Sequence, residues 1–274
     1  MRHLPKPQFD VEKIIKDCVQ SCRDEDKRKL FCDNASYIKE KSDGYDSCAE
    51  QGDWANILKE KTVNGVIPVK EMVNLYKDKF AKHIPEREIY YDRIMSIAKN
   101  GRCPICGIGQ VSTLDHYLAK TLYPTYTVTP FNLVPVCKDC NFNKLDFELS
   151  TNNDALLHPY YDDIDDIEWL RASVIRYDES IVANYFINTS IEKNLYSRLT
   201  KHFEIYRLGQ AYAVQASTEI AENIILWRNK YKELGRDAFV IFLNECLQSK
   251  EYYMKNTWNT ALLRALINNV DILS

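Results

Sequence analysis

The sequence lacks several features that would place it in a particular class of protein. No run approaches the ~20 consecutive apolar residues of a membrane span, and residues 1–7, MRHLPKP, have no apolar stretch behind their charges, so a secretory signal is not predicted. The chain also has no large excess of either charge, because 36 Lys and Arg against 39 Asp and Glu give a net charge of −3. A chain of 274 residues with 45% apolar residues is therefore expected to be a globular cytoplasmic protein. Any nucleic-acid surface must be local or supplied by a partner.

The distribution of residue types divides the chain into three regions. Residues 1–100 show the apolar spacing of amphipathic helices. Residues 101–161 are rich in Pro, Gly, Asn and Cys, with β-like pieces at 111–114 and 133–136. Residues 162–274 are predicted to form a β-hairpin followed by more helices. The predicted fold class is α+β, mostly α, with the small central segment lying between two helical regions.

Local signals predict where several of these elements begin. Asp10 can cap a helix, Pro68 can open one, and Asn100-Gly101 can stop another. Further elements are predicted near Glu86, at strands 172–177 and 181–187, and at helices carrying Leu199, Trp227, 239–246 and 258–267.

Four of the nine cysteines form two Cys-x-x-Cys pairs, Cys103 with Cys106 and Cys137 with Cys140. A two-residue gap lets both sulfurs face one ion, and two such turns complete a tetrahedral shell at ~2.3 Å. Four thiolates fill all four coordination positions of the ion and leave none for water, so the predicted zinc is structural. Its binding energy would stabilise a segment that has little apolar core of its own. A redox pair and a zinc-ribbon binding module without catalysis are the alternatives.

The segment between the cysteine pairs carries polar residues in a specific order. It contains Asp115-His116 after a short apolar piece, then Asn132-Leu133, and Cys140 is followed by Asn141-x-x-Lys144. This order resembles the HNH nuclease motif in its zinc-stapled form, over residues 101–150. The resemblance implies a β-hairpin followed by a helix around a divalent metal, the ββα-metal core.

The resemblance also implies a role for each matching residue. His116 would be the general base, and Asn132 would fix the hairpin loop that carries it. Asp115 and Asn141 would bind the catalytic metal, Mg²⁺ or Mn²⁺. Lys144 and Lys120 would contact the substrate phosphate. Ala119 stands where many relatives have proline, which affects the stiffness of the loop more than its chemistry.

The chemistry of these residue types suits phosphodiester hydrolysis. A neutral imidazole near pH 7 can take a proton from water, and a hard cation held by oxygen ligands neutralises charge on the phosphate. Adjacent side chains in a strand point to opposite sides. For Asp115 and His116 to flank one phosphate, we therefore expect a bend just after Leu114.

The remaining histidines are weaker candidates. His158 is a candidate third ligand of the catalytic metal, with a packing or capping role before Pro159 as the alternative. His3, His83 and His202 are expected to be ordinary surface or packing residues.

The balanced charge bears on partners. An enzyme that binds many nucleic-acid phosphates without the help of a partner would be expected to have more Lys and Arg. The arrangement is similar to HNH effectors of bacterial anti-phage defence systems, of the Septu type and its retron-linked variants, which implies an SMC-like or ABC-like ATPase partner. A self-sufficient restriction-like endonuclease and a catalytically inactive nucleic-acid- or protein-binding module remain the alternatives, with DNA favoured over RNA as substrate.

Overall fold

The computed structural model describes residues 1–82, 84–144, 151–152, 155–178 and 180–274. Its chain forms two compact units, Arg2–Asp163 and Ile164–Ser274, and Met1 groups with the second. The fold is α+β and mostly helical, as predicted. No described helix has both the length and the apolar character needed to cross a membrane. His83 lies outside the described residues.

The first unit joins the predicted N-terminal helical region and the cysteine-rich segment in one body. Its helices and strands, in chain order, are α1 (Val11–Gln20), α2 (Glu25–Glu50), β1 (Thr62–Val63), β2 (Ile67–Pro68), α3 (Val69–Asn74), α4 (Asp92–Ser96), β3 (Thr113–His116), β4 (Leu133–Val136) and α5 (Lys138–Lys144), with π-helical turns at Leu75–Phe80 and Arg87–Tyr91. Asp10 caps α1 through the backbone N–H groups of Glu12 and Lys13, and Asn100 and Gly101 take the left-handed backbone that ends the helical stretch.

One apolar core links the helices of this unit to the β3–β4 pair. Ile14 of α1 and Phe31 of α2 are fully buried in the same cluster as Leu114 of β3 and Leu133 of β4. A two-stranded hairpin is marginal in water without such a partner. The N-terminal helices are therefore part of what holds the central segment in place.

The strand β3 begins later than the sequence predicts. The strand expected at 111–114 is found at Thr113–His116. The N–H of Val111 donates to the carbonyl of Gly101, so Val111 is hydrogen-bonded to the segment before the cysteine turn and does not pair with β4. Antiparallel pairing then runs without interruption from Thr113 opposite Val136 to His116 opposite Leu133.

The second unit is a β-hairpin packed against helices. It contains β5 (Leu170–Tyr177), β6 (Ser180–Ile187), α6 (Lys193–Ile205), α7 (Leu208–Leu234), α8 (Arg236–Tyr253) and α9 (Trp258–Asn268). Helix α9 packs on β5 and α7 packs on β6. The buried side chain of Asn256 accepts from the N–H groups of Trp169 and Leu170, and donates to the carbonyls of Asp165 and Ile167. The hairpin and the helical stripes predicted for this region are confirmed, with each strand slightly longer than expected.

Candidate functional site

The four predicted cysteine ligands meet at one point. Cys103 and Cys106 lie in the turn before β3, Cys137 follows β4, and Cys140 lies in α5. All four are buried, and their sulfur atoms lie within 4.8 Å of one another. Tetrahedral bonds of ~2.3 Å put neighbouring sulfurs ~3.8 Å apart, and the Sγ atoms of Cys106 and Cys137 are 3.8 Å apart. The cluster can hold a metal ion such as zinc.

The backbone around the cluster is shaped to direct N–H groups at sulfur. Gly107 has a φ of 71°, and the N–H groups of Ile108 and Gly109 donate to Sγ of Cys106 at 3.5 and 3.4 Å. Hydrogen bonds from Cys103, then from Cys137 and Cys140, and from the Gly109 N–H lower the pKa of Cys106. A Cβ at Gly109 would lie 2.6 Å from Cβ of Cys137, so a side chain there would displace a ligand.

His116 lies at the end of β3 with its ring turned into the protein. The side chain is buried, and Nε2 lies 2.9 Å from the carbonyl oxygen of Thr127. A carbonyl can only accept, so Nε2 carries the proton and Nδ1 keeps the lone pair. Among the described residues, Nδ1 has no hydrogen-bond partner. Burial, reinforced by the charge of Lys120, lowers the pKa of His116 to about 3, so the imidazole is neutral at physiological pH.

Asp115 pairs with a buried lysine on the opposite face of β3. Nζ of Lys144, at the end of α5, lies 2.7 Å from Oδ2 of Asp115 and also donates to the carbonyl of His116. The expected bend after Leu114 is wrong, because the ladder is regular through His116 and the two adjacent side chains alternate between faces. Lys144 therefore joins the backbone of His116 to the carboxylate of Asp115.

Asn132 is the fixed point of the loop between β3 and β4. Its side chain is fully buried and makes four hydrogen bonds. Oδ1 accepts from the Leu118 N–H at 2.7 Å and the Tyr45 hydroxyl at 3.3 Å. Nδ2 donates to the carbonyls of Leu118 at 3.0 Å and Tyr126 at 3.1 Å. These contacts hold both ends of the segment that presents the Thr127 carbonyl to His116.

The remaining predicted residues differ in how far their side chains are exposed. Asn141 follows Cys140 directly and is exposed. Lys120 is half-buried, with Nζ 5.9 Å from the ring centroid of Tyr76, and burial lowers its pKa. Oδ2 of Asp115 accepts a hydrogen bond from Lys144, and the other carboxylate oxygen has no hydrogen bond to a described residue.

His158 is fully buried and its ring nitrogens are used within the fold. Nε2 lies 3.1 Å from the Phe131 carbonyl, Nδ1 accepts from the Tyr160 N–H at 3.1 Å, and the ring stacks on Trp54. A metal could take either nitrogen only after one of these hydrogen bonds broke.

His3 and His202 differ in their surroundings. His3 lies 3.9 Å from a carboxylate oxygen of Asp163 at the surface. His202 is fully buried in α6, and neither ring nitrogen has a partner among the described residues.

Two tyrosines from the N-terminal helices complete the wall of the site, and sequence reasoning did not identify them. The hydroxyl of Tyr45 reaches Asn132, and the ring of Tyr76 meets the ring of His116 at 4.5 Å, edge to face. Both lie far from the motif in sequence, so no local spacing connects them to it.

Comparison with known proteins gives one informative likeness. No family model matches the chain, and no solved structure matches it. Protein ea31 of Escherichia phage lambda is 26% identical over an alignment 297 positions long, which covers 99% of this chain and 98% of that protein. The similarity therefore runs the whole length of both chains and is not confined to the cysteine-rich segment.

Proposed function

We propose that this chain is a metal-dependent HNH endonuclease that hydrolyses phosphodiester bonds in nucleic acid, with DNA preferred over RNA. The observation that carries the proposal is the state of His116. The Thr127 carbonyl accepts a hydrogen bond from Nε2, and burial keeps the ring neutral, so the lone pair of Nδ1 is available to accept a proton. His158 also has a fixed tautomer, but its Nδ1 accepts from the Tyr160 N–H, whereas Nδ1 of His116 accepts from no described residue.

The order of elements also supports the proposal. Asp115 and His116 end β3, Asn132 leads into β4, and Asn141 lies in α5, an antiparallel pair followed by a short helix. In the proposed enzyme the cysteine cluster binds structural Zn²⁺ and fixes the two ends of this unit.

The proposed mechanism assigns one task to each side chain. Nδ1 of His116 takes a proton from the attacking water, and the Thr127 carbonyl stabilises the imidazolium that forms. Asp115 and Asn141 would hold Mg²⁺ or Mn²⁺, which neutralises charge on the phosphate and the leaving oxygen. Lys144 and Lys120 add positive charge beside the phosphate. Because Asp115 and His116 face opposite sides of β3, we place the scissile phosphate at the end of the strand.

A protein partner is part of the proposal. The net charge of −3 does not favour a wide duplex-binding surface on this chain. We propose that an SMC-like or ABC-like ATPase supplies that surface in a bacterial anti-phage defence complex.

The test compares wild type with His116→Ala on plasmid, single-stranded DNA and tRNA, with Mg²⁺ or Mn²⁺, alone and with the co-expressed ATPase. We expect divalent-dependent cleavage by wild type, loss of at least 100-fold in rate for the variant, on the order of what a general base contributes, and equal zinc content in both. Equal cleavage by the variant, or no cleavage by wild type in either setting, would refute the proposal.

A further inference from the structure

One aromatic side chain beside the proposed site is left in solvent. Phe142 of α5 is 66% exposed. Of the aromatic side chains that the structure describes in the Arg2–Asp163 unit, it alone is exposed. A single exposed apolar residue is common on a protein surface, so the exposure acquires meaning only from where Phe142 stands.

Helix α5 is held on its inner side, which fixes the direction of its outer side. Cys140 points to the metal cluster and Lys144 is buried against Asp115. The exposed residues of α5 are then Lys138, Asp139, Asn141 and Phe142. Lys138 and Phe142 are four residues apart and share one stripe of the helix.

Phe142 is therefore a neighbour of the proposed reaction centre. It follows Asn141, a proposed oxygen ligand of the catalytic metal, and consecutive Cα atoms are ~3.8 Å apart. A nucleic-acid strand with its scissile phosphate at that metal would bring a base or sugar within reach of the ring, and a phosphate within reach of Lys138.

We infer that Phe142 stacks on an unpaired base next to the cut and that the substrate is a single-stranded segment of nucleic acid. This inference rests on the proposed function. A base can cover an exposed aromatic ring only where it is not already paired and stacked in a duplex, so the exposed ring of Phe142 favours an unpaired base. Stacking supplies affinity without charge, and every base has a face that an aromatic ring can cover.

The test measures binding with cleavage switched off. Wild type, Phe142→Ala, Phe142→Tyr and Leu58→Ala are titrated without added Mg²⁺ or Mn²⁺, and without a chelator that would remove zinc, against a labelled single strand of DNA, the same sequence as RNA, and the DNA duplex. Leu58 is 73% exposed in the same unit and outside α5, so its truncation is the matched control. We expect Phe142→Ala to weaken single-strand binding about 5- to 150-fold, the loss of one stacked base. Tyrosine should restore it, and Leu58→Ala should match wild type.

A salt series separates stacking from charge. Phe142→Ala should leave the slope of log affinity against log salt unchanged, whereas Lys138→Ala should reduce it by about 0.7, the value for one phosphate of a single strand. All variants must keep the wild-type zinc content.

The outcomes separate this inference from the proposed function. If wild type cuts but Phe142→Ala and Leu58→Ala bind and cut alike, the nuclease stands and the stacking role is refuted. Tighter binding to duplex than to single strand, or no single-strand binding by wild type, also refutes it. A Phe142-dependent affinity without cleavage in any setting would support the base contact and reject the nuclease.

Discussion

The side chain of Asn132 gives the sharpest test of how the site is held. Asn132→Ala removes four buried hydrogen bonds, to Leu118 twice, Tyr126 and Tyr45. At about 1 kcal/mol each, the loss is about 4 kcal/mol of unfolding free energy. With a urea slope of about 2 kcal/mol per molar, the midpoint of the Arg2–Asp163 unit should fall by about 2 M.

The control is an asparagine of equal connectivity in the other unit. Asn256 also makes four hydrogen bonds, two buried and two partly buried, to backbone groups around Trp169. Asn256→Ala should destabilise Ile164–Ser274 by a similar amount and leave the Asn132 loop protected. Tyr45→Phe removes only the longest of the four bonds and should cost about 1 kcal/mol or less.

Hydrogen exchange read by mass spectrometry along a urea series reports on each unit separately. For Asn132→Ala we expect early loss of protection in the peptides around Thr127, and loss of the proposed nuclease activity in dilute urea where Asn256→Ala retains it. A midpoint shift below about 0.5 M for Asn132→Ala, or equal loss of protection at Thr127 in both variants, would refute the reasoning.

Three further predictions concern the metal cluster and pH. Gly109→Ala should lower zinc content in metal analysis because its Cβ meets Cys137, while Gly44→Ala, with open space around it, should keep zinc and raise stability by up to about 1 kcal/mol. Cys140→Ala should lose zinc whereas His116→Ala keeps it; equal loss would contradict the separation of zinc from catalysis. Burial keeps the pKa of His202 well below its ordinary value. The unfolded state therefore takes up the proton first, and stability should fall by about 1.4 kcal/mol per pH unit below about pH 6.5. His202→Leu should flatten that slope in acid unfolding curves, and an unchanged slope would rule out this cause.

Local patterns predicted the local parts of this protein. The two-residue gaps in the cysteine pairs were enough to predict the cluster, because ligand geometry depends on neighbours in sequence. Asp10 and Asn100-Gly101 marked a helix start and a helix stop for the same reason. The hairpin of β5 and β6 followed from alternation of apolar residues along each strand.

The longest helix of the first unit shows where pattern alone was weak. Helix α2 runs over Glu25–Glu50, yet no separate helix was predicted there. Several of its inward positions hold small or polar residues, among them Asn34, Ser42 and Ala49, which a count of apolar residues passes over. Their burial is decided by packing against α1, which no single-segment pattern contains.

The site itself depends on contacts of long sequence separation. The bond from Tyr45 to Asn132 spans 87 residues, and the bond from Lys144 to the His116 carbonyl spans 28. The expected bend after Leu114 failed because it assumed that β3 alone must bring Asp115 and His116 together. In the structure each side chain is held by a different neighbour: Asp115 by Lys144 of α5, and His116 by Thr127 of the loop.

That division explains why so small a hairpin needs two separate supports. The β3–β4 pair has only four paired positions, too few to be stable alone, and the described part of α5 adds seven residues. The cysteine cluster fixes the end of the hairpin where Val136 leads into Cys137. It thereby sets where α5 begins, and so the position of Lys144 and of the Asp115 carboxylate that Lys144 binds. The N-terminal helices fix the opposite end through Tyr45 and Tyr76. These contacts set the position of the loop, and so the orientation of the His116 ring. Loss of zinc should therefore disturb the Asp115 side first, and damage to the α2 face should disturb the His116 side first.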